Sequence, residues 1–146
     1  MNDSTLTASA IMSFSQELER RLTVTYEELA QRFPDHSGLF HGFARSCKKS
    51  GMQVIRTYQE TVSDALETGY SFAGISLEDY QLEYDLAESL SLDEAAEKAQ
   101  ALEAAASAFY SDVAEASESL LATIPRAFKR AARTHRQRRE ALLALS

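Results

Sequence analysis

The chain has 146 residues, 45% apolar and 25% charged, with only 5 Gly and 2 Pro, which excludes the many tight turns of an all-β fold and predicts one all-α domain over residues 1–146. No apolar run approaches the roughly 20 residues of a membrane-spanning helix, and the polar start carries no basic-then-apolar leader, so a cytoplasmic protein without membrane contact is expected. The lone Cys47 excludes an internal disulfide framework and any paired CxxC metal knuckle, and the net charge of −7 disfavours nucleic acid as a partner.

Ile11, Phe14, Leu18, Leu22, Thr25, Leu29 and Phe33 fall at three- and four-residue intervals. They form the buried stripe of a first helix over about residues 7–33, which Pro34 stops. Asp35 is the expected N-cap of a second helix over about residues 36–68. Its stripe carries Phe40, Phe43, Cys47, Val54, Tyr58 and Val62, and Gly69 breaks it. Residues 69–90 hold two glycines, several aromatics and an acidic run. This long connection is expected to contain a short outer helix over Leu77 to Leu90. Ser91-Leu92-Asp93-Glu94 spells a capping box, after which Ala99, Leu102, Ala106, Phe109, Val113 and Leu120 mark a third helix ending before Pro125. A fourth begins near Pro125 and carries Phe128, Ala131, Ala132, His135 and Leu142. The prediction is a four-helix bundle of two helical hairpins joined by a long crossover.

Charge is distributed unevenly along these elements. Residues 1–56 are nearly neutral, 57–124 carry 15 acids against Lys98 alone, and 125–146 carry 7 Arg and Lys against Glu140. A basic last helix beside an acidic third one reads as internal complementarity. Arg126, Lys129, Arg130, Arg133, Arg136 and Arg139 are expected to face solvent or acidic neighbours. His36 and His41 have no ligand partner nearby in sequence and are expected to be solvated.

The two halves also repeat. Glu19, Tyr26 and Ala30 recur as Glu103, Tyr110 and Ala114 at an offset of 84. Phe40, Phe43, Ala44, Cys47 and Ser50 stand against Phe128, Ala131, Ala132, His135 and Arg138 at an offset of 88. A mid-helix Glu with Tyr one heptad on, followed by a helix of this Phe-Ala spacing, resembles the ferritin-like superfamily, and in particular its rubrerythrin-like branch, over about residues 8–145. The resemblance implies a bundle around a di-iron site that takes one Glu from each of the first and third helices and a Glu-x-x-His pair from each of the second and fourth. Ferroxidation, peroxide reduction or oxygen activation would be its chemistry.

Carried over by position, Glu19 and Glu103 stand where the family has its single carboxylates. Cys47 and His135 stand where the pairs have Glu, and Ser50 and Arg138 where they have His. Four of the six implied ligands are therefore replaced, and the four-Cys rubredoxin extension is missing. A normal di-iron centre and rubrerythrin peroxidase activity are not expected.

Two readings of the inward positions remain open. In one, Arg138, aided by His135, compensates buried Glu19 and Glu103 in place of metal. In the other, Glu19, Cys47, Glu103 and His135 converge on a single zinc or iron ion; Arg138 counts against it, since a guanidinium repels a divalent cation. Tyr26 and Tyr110 are core rings whose hydroxyls could donate to the carboxylates, and Cys47 is expected to behave as a small apolar group. The favoured expectation is a non-catalytic structural or protein-interaction module without cofactor, as a homodimer or with another protein partner. The alternative is a metal-binding protein or oxidoreductase built on those four residues. A third reading places a small apolar ligand in the space the metals would have taken.

Overall fold

Among the described residues the stripes read from the sequence become four helices, α1 (Ala8–Arg32), α2 (Ser37–Thr61), α3 (Leu92–Ala116) and α4 (Thr123–Leu143). The computed structural model describes residues 8–61, 75–116 and 123–145. Helices α1 and α2 pack as one hairpin and α3 and α4 as the other, and α2 meets α4 between them. α1 and α3 touch through long side chains, as where Phe14 lies on Phe109 with ring centroids 4.8 Å apart. The all-α bundle of two hairpins is the predicted architecture.

Local chemistry explains the boundaries. Pro34 lacks the N–H that another turn of α1 would use, and it opens a 3-10 turn over Pro34–His36 instead. Asp35 lies inside that turn, two residues ahead of α2, so it does not take the capping position expected of it. Its neighbour His36 is half-buried rather than solvated, whereas His41 is exposed. The capping box forms as read: the Glu94 amide donates to Ser91 Oγ at 3.1 Å, and the Ser91 amide donates to Glu94 Oε1 at 2.9 Å. The expected ends of the second helix near Gly69 and of the third before Pro125 lie outside the described residues.

The crossover departs from expectation. Instead of a short outer helix over Leu77 to Leu90, a 3-10 turn at Leu77–Tyr80 gives way to an extended path. The reason is visible in the alternation: Leu82, Tyr84 and Leu86 pack on the core, while Gln81, Glu83, Asp85 and Ala87 are exposed. A period of two suits an extended chain, not a helix. Three contacts moor the segment. The Tyr80 hydroxyl donates to Asp112 at 2.6 Å, the Arg21 guanidinium lies 4.7 Å over the Tyr84 ring, and Arg32 Nη1 donates to the Ala87 carbonyl at 2.5 Å.

The core runs the length of the bundle. α1 contributes Ile11, Leu18, Leu22, Tyr26 and Leu29, and α2 contributes Phe40, Ala44, Cys47 and Val54. Half of what α3 presents to the core is alanine, among them Ala99, Ala106 and Ala114, and α4 packs closely along it. α4 buries Phe128, Ala131, Ala132 and Leu142 together with two ionisable side chains, His135 and Arg138. Among the described residues no helix is long and apolar enough to cross a membrane.

Candidate functional site

Seven residues make about two helical turns, so Glu19 and Tyr26 share one side of α1, and Glu103 and Tyr110 share one side of α3. All four side chains point into the bundle, at 2%, 0%, 0% and 0% exposure respectively. Two carboxylates in an apolar interior would each cost several kcal/mol if left unpaired. What surrounds them therefore defines the site.

His135 spans the gap between them. Its Nε2 is 2.7 Å from Glu19 Oε2 and its Nδ1 is 2.5 Å from Glu103 Oε1. A ring with an acceptor at each nitrogen must donate from both, so His135 is an imidazolium. Burial pushes its pKa down, but the charge of Glu19 and the hydrogen bonds and charge from both carboxylates outweigh that and hold it up at about 9. Arg138, one turn further along α4, supplies the second cation. Its Nη1 donates to both Glu103 oxygens at 3.2 Å, and its Nη2 donates to Ser46 Oγ at 2.5 Å. Arg138 Nη1 is also 3.1 Å from His135 Nδ1. With both groups protonated this is a close approach of two cations held by one carboxylate, not a hydrogen bond. Two anions and two cations thus share one buried volume and cancel.

The tyrosines complete the arrangement. Tyr26 donates to Glu103 Oε2, and Tyr110 donates to Glu19 Oε2 at 2.7 Å. Because the Tyr110 proton is committed to Glu19, Ser15 must donate in the 2.6 Å contact between the two hydroxyls. Burial first, and then the adjacent carboxylates, push both phenols well above the ordinary tyrosine range, so both stay protonated donors. Burial also pushes the Glu103 carboxyl up, but the hydrogen bond and charge of His135, the charge of Arg138 and the Tyr26 hydroxyl reverse this and leave it below the usual range.

Cys47 is fully buried beside Glu19, and burial raises its thiol well above the ordinary cysteine value. It is a neutral, weak donor toward that carboxylate and not a thiolate nucleophile. No partner with regular hydrogen-bond geometry reaches Glu19 Oε1 among the described residues. Next along α2, a Cβ at Gly51 would stand 3.1 Å from Glu19 Cβ. Glycine is what lets α2 lie this close over the carboxylate stem. Ser50, at the position paired with Arg138, is buried.

The inward set read from the sequence is therefore brought together, with two refinements. Of the two carboxylates Arg138 hydrogen-bonds Glu103, and Glu19 is met by His135 from the other side. Ser15 and Ser46 also hold the network, and sequence reasoning missed both, since a serine on a helical stripe gives no signal of the hydroxyl or guanidinium it will meet. The repeat extends to ring packing: Tyr26 stacks on Phe40 at 6.3 Å and 18°, and Tyr110 stacks on Phe128 at 6.3 Å and 26°.

The donor set does not fit the di-iron pair that the resemblance implies. Both imidazole nitrogens already face carboxylates, a guanidinium covers Glu103, and Cys47 is protonated. Among the described residues no group of three or more His, Cys, Asp or Glu side chains is disposed to hold a metal ion. The space between the carboxylates, where a small apolar ligand was envisaged, is spanned by the His135 ring. The six basic side chains expected on the outside of α4, Arg126 through Arg139, are all exposed. The chain matches no family model, no curated protein and no solved structure.

Proposed function

We propose that the chain is a non-catalytic bundle of the ferritin-like, rubrerythrin-like kind whose metal centre is replaced by its own side-chain cations, and that it acts as a structural or protein-interaction module. The observation that supports this reading is the neutral quartet of Glu19, Glu103, His135 and Arg138, in which both Glu103 oxygens and one Glu19 oxygen are engaged by imidazolium and guanidinium. A centre of that kind lends rigidity and register to the packing of four helices. Both of its imidazole nitrogens face carboxylates, and the adjacent Cys47 thiol is protonated. A homodimer or a second protein is the partner such a module would serve. Among the described residues Val24, Leu39, Met52 and Leu143 are the large apolar side chains it would present.

The deciding experiment is elemental analysis of protein produced with iron and zinc in the medium and purified without chelator, together with melting curves with and without EDTA. Well under one ion per chain and an unchanged melting temperature are expected. Near-stoichiometric iron or zinc that disappears in Glu103→Ala, with helicity retained, would overturn the reading in favour of a metal protein at Glu19, Cys47, Glu103 and His135.

A further inference from the structure

On the outer side of the first hairpin, α1 and α2 part to leave an open groove of about 370 Å³. Gly51 and the Glu19 stem form its floor, the Met52 and Ile55 side chains its apolar wall, and Arg20, Lys48 and Arg56 its charged rim. The opening has a sequence cause. Lys48, Gly51, Met52, Ile55 and Arg56 are spaced three and four apart, so they form one face of α2, and that face has a missing side chain at its centre. In the second hairpin the position paired with Gly51 by the repeat is Arg139.

Charge narrows what the groove can hold. Arg20 is tied to Glu17 at 2.6 Å, but Lys48 and Arg56 form no ion pair among the described residues, although the chain is acidic overall. Among the described residues Glu19 is the sole carboxylate of the lining. It turns inward and is answered by His135, so it does not cancel the rim. Met52 is 56% exposed, a large apolar surface between Lys48 and Arg56. Lys48 and Arg56 are eight residues apart on one helix, about 12 Å along its axis.

We propose that this groove is a binding site for an amphipathic organic anion, a carboxylate or sulfonate on an apolar body, whose body lies on Ile55, Met52 and Gly51 and whose charged group pairs with Lys48 or Arg56. Concave apolar walls with few, well-placed polar groups are the usual form of small-ligand sites. The rim cations supply steering and orientation, and the wall supplies the burial. The groove shares only the Glu19 stem with the buried quartet, and Lys48, Arg56 and the apolar wall come from α2.

The test is a fluorescence titration with 1-anilinonaphthalene-8-sulfonate on the full chain, followed by competition with decanoate and with decanol. Circular dichroism melts would show that each variant is cooperatively folded. Saturable sulfonate binding, displaced by decanoate and far less by decanol, is expected. Lys48→Glu with Arg56→Glu should weaken it by about tenfold or more, and Met52→Asp should weaken it comparably. Reversing two exposed charges elsewhere, Arg133→Glu with Arg136→Glu, should leave it unchanged. Absence of saturable binding would overturn the proposal. So would equal displacement by decanol, or an equal loss from the α4 reversals, which would mean an unspecific apolar or electrostatic effect. Sedimentation showing a dimer that Met52→Asp dissolves, with no decanoate bound to the monomer, would assign the groove to a second copy of the chain instead.

Discussion

Tyr26 and Tyr110 exchange partners across the bundle: each hydroxyl donates to the carboxylate carried by the other's helix, Tyr26 on α1 to Glu103 on α3 and Tyr110 on α3 to Glu19 on α1. α1 and α3 share little backbone contact, so these crossed bonds, with His135 between them, tie α1 to α3, while α2 and α4 join the hairpins directly. Tyr26→Phe and Tyr110→Phe should each destabilise by about 1–3 kcal/mol, the cost of a buried charged acceptor losing a donor. Because both feed one network, the double variant should depart from additivity by about 0.5 kcal/mol or more. Urea denaturation of the two singles and the double checks this, and simple additivity would mean the halves are uncoupled.

Arg138→Met should cost about 3–5 kcal/mol, because it leaves Glu103 with one cation where it now has two and removes a buried pair from one side. Adding Glu103→Gln should recover much of the loss, since the stranded charge is gone. Equilibrium unfolding of the single and double variants measures both. A neutral Arg138→Met would show that His135 alone suffices.

The sign of the pH dependence follows from His135. Its pKa rises from 6.5 in the open chain to about 9 in the fold, so the native state holds a proton that the unfolded state releases between those values. The stabilisation is complete below about pH 6.5 and is lost as pH rises toward about 9, a fall on the order of 3 kcal/mol. Glu103 acts oppositely: its lowered pKa contributes stability that disappears as pH falls below the ordinary carboxyl range. Melting temperatures should therefore decline from neutral to alkaline pH. The decline should be much shallower in His135→Gln, and an identical slope in that variant would mean the imidazole is not the titrating group.

The basic side chains of α4 are exposed, but the chain as a whole carries a net charge of −7, which repels a polyanion. Binding to duplex DNA should be weak, independent of sequence, and abolished as salt rises toward physiological levels. Filter binding at increasing salt would reveal the contrary as tight, salt-resistant retention of one sequence.

Legibility in the sequence tracked the period of each feature. Leu18, Leu22 and Leu29, or Ala99 and Ala106, repeat at helical spacing, and a stripe of that kind admits one buried face; the inward position of Glu19, Cys47, Glu103, His135 and Arg138 follows from it. The crossover was misread because Leu82, Tyr84 and Leu86 alternate at a period of two inside an acidic run whose composition alone favours helix. The partner of each site residue was less legible than its position. That Arg138 meets Glu103 and Ser46, while Glu19 meets His135, depends on which helices adjoin and how far they slide, and neither is written in one helix's spacing. The groove beside Gly51 escaped for a related reason: a missing side chain is a signal only once the facing helix is in place.

The quartet of buried charges also constrains how such a chain can change over generations. Replacing any one member leaves a net charge sealed in the bundle, at a cost of about 3–5 kcal/mol, while a whole domain of ordinary stability has about 5–15 kcal/mol to lose. Single substitutions at Glu19, Glu103, His135 or Arg138 are thus penalised even where the final, multiply substituted core would be sound. A centre that took its cations from solution could be reached from this one only through paired replacements made nearly together. The internal ion set works as a ratchet: once four side chains answer one another, each holds the others in place through inheritance as firmly as it does in the fold.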